Sequence, residues 1–317
     1  MTILLLTGPT GTGKTDWAVR LAETLPVEIV SVDSALVYRG LDIGTAKPPS
    51  EVRARVPHHL IDICDAAESY SAGRFVADAL ACIADIEARG RIPLLVGGTM
   101  LYFRALLQGI APLPQASGEL RRTLDERAAR EGWPALHAEL ARLDPVTAAR
   151  VHPNDPQRIQ RALEVCYATG RPLSELQQAT KSAIPLERVR RWALVPADKA
   201  AWHQRLESRF HDMMAQGFLD EVARLYARGD IHARLPSMRA VGYRQLWEHL
   251  AGESKLHEAV QRGIAATRAL AKRQLTWLRA EKGLERLDPL TPGAFERWRD
   301  EVAASLSRTW PLIGAAC

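Results

Sequence analysis

Through the first 110 residues, short apolar runs alternate with longer stretches in which apolar positions return every three or four residues. Ile3–Thr7 is a compact apolar run and predicts a buried strand. The next stretch, 16–24, puts Trp17, Ala18, Leu21 and Ala22 on one helical face. Residues 28–32 predict a second strand and 59–63 a third. A long helix follows over 71–89, with Phe75, Val76, Ala79, Leu80, Ile83 and Ile86 as its apolar stripe. Residues 92–96 form another apolar run, ending in Gly97-Gly98. Short apolar strands that alternate with helices imply a parallel sheet covered by helices on both faces.

The pattern changes near residue 112. Pro112, Pro114 and Gly118 mark a loop, and from Glu119 to about Thr180 the chain is rich in Ala, Arg and Glu. Pro134, Pro145, Pro153, Pro156 and Pro172 divide this stretch into short helices. It predicts an all-helical insertion, 116–189, between two parts of an α/β core, 1–115 and 190–317. Residues 189–195 return to the sheet as a strand. Helices are expected over 199–228, 240–250, 255–281 and 292–307.

Composition narrows the class. Of 317 residues, 47% are hydrophobic and 25% charged, which is average globular usage and excludes collagen, a disordered tail protein and a disulfide miniprotein. The longest early apolar run, Ile3 to Leu6, is far shorter than a signal or membrane segment needs. Cys64, Cys82, Cys166 and Cys317 are far apart with no CxxC, as in a cytosolic protein with reduced thiols and no structural zinc. A monomer free of membrane is expected. The net charge of +5 is uneven: residues 1–115 carry 10 basic and 12 acidic side chains, whereas 234–279 carry nine basic and three acidic ones. Such an excess suggests a polyanionic partner, although Arg outnumbers Lys 35 to 7 and a solvated basic helix face has the same signature.

The chemistry starts in the first turn. Gly8-Pro9-Thr10-Gly11-Thr12-Gly13-Lys14-Thr15 matches GxxxxGK[ST] without a gap, after a strand and before a helix. Backbone N–H groups of such a loop converge on an anion at a helix N-terminus, the lysine adds a full charge, and the Thr15 hydroxyl suits Mg²⁺. The second strand ends at Asp33, at the edge that faces the ligand crevice of a parallel sheet. A carboxylate there suits a metal ligand, a general base or a cap for the next turn. No second apolar run ends in the acidic pair expected of an ATPase, and no short Arg-bearing lid is present. The helical insertion is too large to cover one phosphate and suits a macromolecule better. Three functions remain open on the residues alone: a transferase acting on nucleic acid, a P-loop small-molecule kinase using ATP, and a non-catalytic RNA-binding protein.

Six blocks occur in the order seen in one family: GPTGTGKT (8–15), SVDSALVYRGLDIGTAKP (31–48), VGGTMLYFRAL (96–106), DPQRIQRALEV (155–165), MRAVGYRQLWEHL (238–250) and TRALAKRQLTWLR (267–279). In these the chain resembles the tRNA dimethylallyltransferases of bacterial type, from residue 3 to about 280. Gly11-Thr12 stands where that family often has Ala-Ser, and the zinc-finger extension of eukaryotic relatives is missing. The resemblance implies a P-loop-type parallel sheet with a helical insertion. It also implies transfer of a dimethylallyl group from dimethylallyl diphosphate to N6 of adenosine 37 in the tRNA anticodon stem–loop.

Residue roles follow from the same resemblance. Asp33 is the general base, assisted by Thr10 and Lys14, and Gly8, Pro9 and Thr10 to Thr15 hold the diphosphate with Mg²⁺ on Thr15. Arg209, in the helix after the returning strand, is expected to reach the diphosphate. Asp33, Ser34, Ala35 and Leu36 border the incoming adenosine, with Thr99 and Arg121 contacting tRNA nearby. Gln157, Arg158, Ile159, Gln160 and Arg161 match one tRNA-contacting block, and Arg239, Ala240, Val241, Gly242, Tyr243 and Arg244 another. Arg158 and Arg161, at i and i+3, share a helix face, which is equally that of a solvated surface. Arg268, Lys272 and Arg273 form a basic face against the stem, or sit idle on a helix that caps the core through Leu275 and Leu278.

Overall fold

The computed structural model describes residues 2–111, 113, 117–178 and 181–307. The expected loop at Pro112 and Pro114, the boundary at 115/116 and Cys317 lie outside them. In chain order the elements are β1 (Ile3–Thr7), α1 (Lys14–Ala22), β2 (Val27–Val32), α2 (Ser50–Arg55), β3 (His58–His59), α3 (Ala72–Ala88), β4 (Ile92–Gly97) and α4 (Met100–Gln108). Then come α5 (Gly118–Glu131), α6 (Trp133–Leu143), α7 (Pro145–Ala148), α8 (Pro156–Thr169) and α9 (Leu173–Gln178). The chain continues with β5 (Val189–Leu194), α10 (Lys199–Ala215), α11 (Phe218–Tyr226), α12 (Tyr243–Leu250), α13 (Leu256–Ala280), β6 (Glu285–Leu287) and α14 (Ala294–Ser307). It divides into two compact units, Met1–Phe103 with Ile184–Cys317, and Arg104–Ala183.

The first unit is built on one six-stranded sheet, ordered β3-β2-β4-β1-β5-β6, with every pairing parallel. Strands β1, β2 and β4 are buried along their whole length, as central strands covered on both faces must be. Their registers, Leu4 beside Leu94 and Ile29 beside Leu94, bring the carboxyl ends of all three level. Gly8, Asp33 and Gly98 therefore start their loops at one edge, where open parallel sheets bind ligands.

One face of the sheet is sealed by aromatics. Trp17 of α1 packs against Phe295 and Trp298 of α14 at 5.5 and 5.4 Å, and Trp298 meets Trp192 of β5 at 6.0 Å. This contact fixes the helix whose first residue is Lys14. Trp298 is 1% exposed. Trp298→Ala is expected to cost about 3–5 kcal/mol, read as a lower urea midpoint with unchanged slope. A loss under about 1 kcal/mol would mean that α14 is not part of this core.

The second unit has its own core of Leu124, Leu136, Leu140, Ile159, Leu163 and neighbours. Helices α6, α7 and α8 each carry a proline in the first turn, where its missing N–H costs nothing. Asp144 and Asp155 accept the N-terminal amides of α7 and α8.

Several sequence expectations are corrected. The strand expected over 59–63 is only His58–His59, because Leu60 and Asp62 adopt left-handed backbone angles that break the ladder. The helix expected over 199–228 is two, parted at Gly217. The helix expected from 240 starts at Tyr243, since Ala240 is extended and Gly242 is left-handed. Helices α2 and α4 and strand β6 had no counterpart in the sequence reading.

Candidate active site

The loop at residues 8–15 is held by its own hydrogen bonds. Gly13 caps α1 at φ +84°, a conformation that strains any residue with a Cβ, and so sets the turn into the helix. The Lys14 ammonium donates to the Pro9 carbonyl at 2.8 Å, and the Thr12 hydroxyl donates to the same oxygen at 2.9 Å. Thr10 is held from two helices: its N–H donates to Gln274 Oε1 of α13 at 2.9 Å, and its carbonyl accepts from Trp202 Nε1 of α10 at 3.1 Å. Gln274 Nε2 donates in turn to the Gly98 carbonyl at 2.9 Å, tying the ends of β1 and β4 together.

Asp33 follows β2. Its Oδ1 accepts from Ala35 N at 2.8 Å and from Leu36 N at 3.4 Å, so the carboxylate caps the next turn as well as facing the crevice. The Ser34 N–H donates to Thr99 Oγ1 at 3.0 Å, and Thr99 N to the Val32 carbonyl at 3.2 Å. The expected adenosine-bordering residues thus sit on a fixed corner between β2 and β4.

Three cavities meet at this corner, and Asp33 and Gln274 line all of them. The first, of 320 Å³, runs along the phosphate loop, with Lys14, Thr15, Arg205 and Arg209 on its walls. The second, of 130 Å³, is mostly apolar: Leu206, Phe210, Met213 and Leu270 line it beyond Thr10. The third, of 480 Å³, opens past Thr99, Leu101, Arg239, Arg273 and Trp277.

The first cavity crowds cations together. Burial pushes the Lys14 ammonium down to about 8, with Arg209 adding to the fall and Asp33 opposing it. Burial, then Arg205, holds the Arg209 guanidinium below its ordinary value, again against Asp33. Three cations around one hollow repel one another, and a polyanion placed there relieves that repulsion.

The remaining sequence-predicted residues fall into distinct settings. Ala240 and Val241 line the second and third cavities, and Arg239 the third. Tyr243, in the same block, is buried with its hydroxyl on Glu221 and borders the second cavity. Arg244 is exposed and paired with Glu248 at 3.0 Å. In the helical unit, Ile159 is buried in the core and offers RNA no surface. Arg121 and Arg161 both reach Glu164, at 2.9 and 3.4 Å, and Glu164 is almost fully buried. Gln160 donates to Asp125 at 2.8 Å. Gln157 and Arg158 are exposed, the latter 3.4 Å from Asp155. On α13, Arg268 pairs with Glu207 at 2.6 Å, whereas Lys272 and Arg273 are exposed.

Residues 36–281 match the IPP transferase family, and residues 1–60 match isopentenyl transferase. The chain belongs to the tRNA isopentenyltransferase family. Among solved structures, it is similar to the full-length tRNA isopentenylpyrophosphate transferase of Bacillus halodurans, with 34% identity, a TM-score of 0.70 and 99% of each chain covered. It is also similar to the tRNA delta(2)-isopentenylpyrophosphate transferase of Staphylococcus epidermidis, at 30% identity and TM-score 0.68, over 97% of this chain and 100% of that one. A eukaryotic dimethylallyltransferase acting on tRNA matches at 28% identity and TM-score 0.80, over 97% of this chain and 78% of the other. The chain is therefore a transferase, of the tRNA-prenylating kind and not a small-molecule kinase. No helix among the described residues is long and apolar enough to cross a membrane.

Sequence reasoning missed Gln274, Trp202 and Arg205 as site residues. Gln274 had a signal: with Leu270 and Trp277 it forms an i, i+4, i+7 stripe on α13 that faces the site, and a polar residue within such a stripe needs a buried partner.

Proposed function

We propose that this tRNA isopentenyltransferase family member transfers the dimethylallyl group of dimethylallyl diphosphate to N6 of adenosine 37 in the tRNA anticodon stem–loop. The observation that carries the reading is the place of Asp33, on the shared wall of a cationic, an apolar and an open cavity. The diphosphate occupies the cationic cavity and the adenine enters by the open one. The five-carbon chain takes the apolar pocket, whose 130 Å³ is close to the roughly 150 Å³ that accommodates benzene in a protein core.

The chemistry is one displacement. The adenine N6 forms a bond to C1 of the dimethylallyl group as the C1–oxygen bond to diphosphate breaks, and the electron pair of that bond leaves with the diphosphate. Lys14, Arg205 and Arg209 stabilise the charge that grows on the leaving group. The N6 lone pair is delocalised into the ring, so a base that takes its proton as the bond forms is worth about 10²–10⁴-fold. Asp33 does this. The base reaches it only out of its stack, which is cheap for a loop nucleotide.

The site fits Mg²⁺ as a partner of the diphosphate. Among the described residues no group of three or more His, Cys, Asp or Glu side chains forms a metal cage, and Mg²⁺ keeps several waters and binds through few protein oxygens plus phosphates. The exposed Thr15 hydroxyl would hold it, and bound Mg²⁺ would add charge to the leaving group.

In the helical unit, Arg158 is assigned a backbone phosphate because it is the most exposed of the three arginines, paired among the described residues only with the surface Asp155, whereas Arg121 and Arg161 share the buried Glu164. Arg158→Ala should weaken tRNA binding and flatten the log–log salt slope by about 0.7. An unchanged slope would place Arg158 in solvent only.

The direct test incubates the protein with labelled dimethylallyl diphosphate and undermodified tRNA, and in parallel with γ-labelled ATP. Label in the RNA from the first and none transferred from the second is the expected result; the reverse would make the protein a kinase.

A further inference from the structure

The wall of the donor site opposite the phosphate loop is formed by a short irregular segment, residues 41–47. Gly44 and Thr45 border the apolar pocket, and Thr45 and Ala46 the cationic cavity. Ala46 has φ +52°, a left-handed conformation that a non-glycine residue holds only when its surroundings impose it.

The residues just before Ala46 are held by a buried carboxylate from α11. Glu221, in the first turn of α11, is 3% exposed. It accepts the N–H groups of Asp42 at 3.0 Å, Ile43 at 2.7 Å and Gly44 at 3.2 Å, and the hydroxyl of Tyr243. Burial and the Glu221 charge push the Tyr243 phenol well above its ordinary value, so it stays a donor. One carboxylate thus meets four donors, three of them consecutive amides. Lys47 closes the other end: its buried ammonium donates to the Tyr38 carbonyl at 2.9 Å, to Asp42 at 2.6 Å and to Asp62. Gly44 is seated against Phe218 and Tyr243, where a Cβ would come within 2.1 and 2.6 Å of their rings.

We propose that Glu221 is a positioning residue of the transfer reaction: it fixes residues 42–44 so that Thr45 and Ala46 form a preset wall of the donor site. Glu221 touches neither substrate; it acts through the loop. The inference rests on the assignment of the phosphate-loop cavity to the diphosphate donor. It links α11 to donor binding, although no residue of α11 lines any of the three cavities; Tyr243, at the start of α12, borders the apolar pocket.

A purely structural Glu221 would affect melting and leave the kinetic constants of the folded protein alone. A positioning Glu221 splits them. Glu221→Gln keeps the shape but turns an NH₂ group toward the loop amides. In the folded variant we expect the KM for dimethylallyl diphosphate and the Kd for inorganic pyrophosphate to rise about tenfold, as for loss of one hydrogen bond to a charge. The kcat and the KM for tRNA should stay within about twofold. Tyr243→Phe, which leaves Glu221 its three amides, should show a smaller rise in the same two constants. A folded Glu221→Gln with wild-type donor constants, or with kcat and both KM values altered alike, overturns the proposal. Should the variant not fold, hydrogen exchange on the wild-type protein decides: the amides of 42–44 must be protected without donor, and free exchange there overturns it equally. Lys14→Ala, measured alongside, reports on the donor site itself. Unchanged donor constants in that variant refute the site assignment, whereas unchanged constants in Glu221→Gln alone refute only the role of Glu221.

Discussion

Replacement of Asp33 by asparagine should remove prenyl transfer while tRNA binding stays nearly intact. Asparagine separates the two tasks that the structure gives this side chain. Its carbonyl oxygen still accepts from Ala35 and Leu36, so the turn that carries the expected adenosine-bordering residues survives. It has no basicity, so N6 keeps its proton as the new bond forms. The expected loss in kcat is about 10²–10⁴-fold, with tRNA affinity within about twofold of wild type. Asp33→Ala should lose as much activity and also loosen the turn, which a lower melting temperature would register. Near wild-type turnover in Asp33→Asn at saturating substrates would reduce Asp33 to a cap.

The second large effect belongs to Lys14. Removal of its ammonium takes a charge from beside the leaving group and leaves the Pro9 carbonyl without one of its two side-chain donors. Lys14→Ala should lower kcat/KM for the donor by about 10²–10³-fold, the size seen when one donor to a developing anion is lost. The pH profile gives an independent check. In the free enzyme burial has brought this lysine down to about 8. Below that pH it is charged and ready for diphosphate; above it the neutral amine dominates and the cavity loses a cation. Donor kcat/KM, which reports the free enzyme, should therefore fall as pH rises through about 8. The limb in kcat should lie higher, because bound diphosphate favours the charged form. Lys14→Arg should move the kcat/KM limb upward. Identical kinetics for Lys14→Ala and wild type would refute the phosphate-loop assignment.

What the sequence revealed of this site depends on how far apart the partners are in the chain. The phosphate loop is eight consecutive residues whose backbone makes the site, so its pattern and flanks were enough. Asp33 was found because a strand end is marked by where its apolar run stops. Gln274 and Trp202 act across 264 and 192 residues, and Glu221 across about 178, through single bonds that periodicity does not record. A block matched as a unit also mixes helix faces. Ile159 lies one turn-face away from Arg158 and goes into the core, and Tyr243 turns inward while Arg244 turns out. Strand β6 was invisible because three residues, two of them charged, make no apolar run. The strand expected over 59–63 stopped early for backbone reasons, at Leu60 and Asp62, which no apolar count detects.

The central claim is that dimethylallyl moves onto the exocyclic amine of the adenine beside the anticodon. It is tested most directly with two short RNA hairpins that carry the anticodon stem–loop, one with adenosine at position 37 and one with guanosine, each incubated with labelled dimethylallyl diphosphate. The account predicts label in the adenosine hairpin alone, recovered after digestion as a nucleoside substituted at N6, since guanine presents an oxygen where the amine must attack. Comparable label in both hairpins would contradict it.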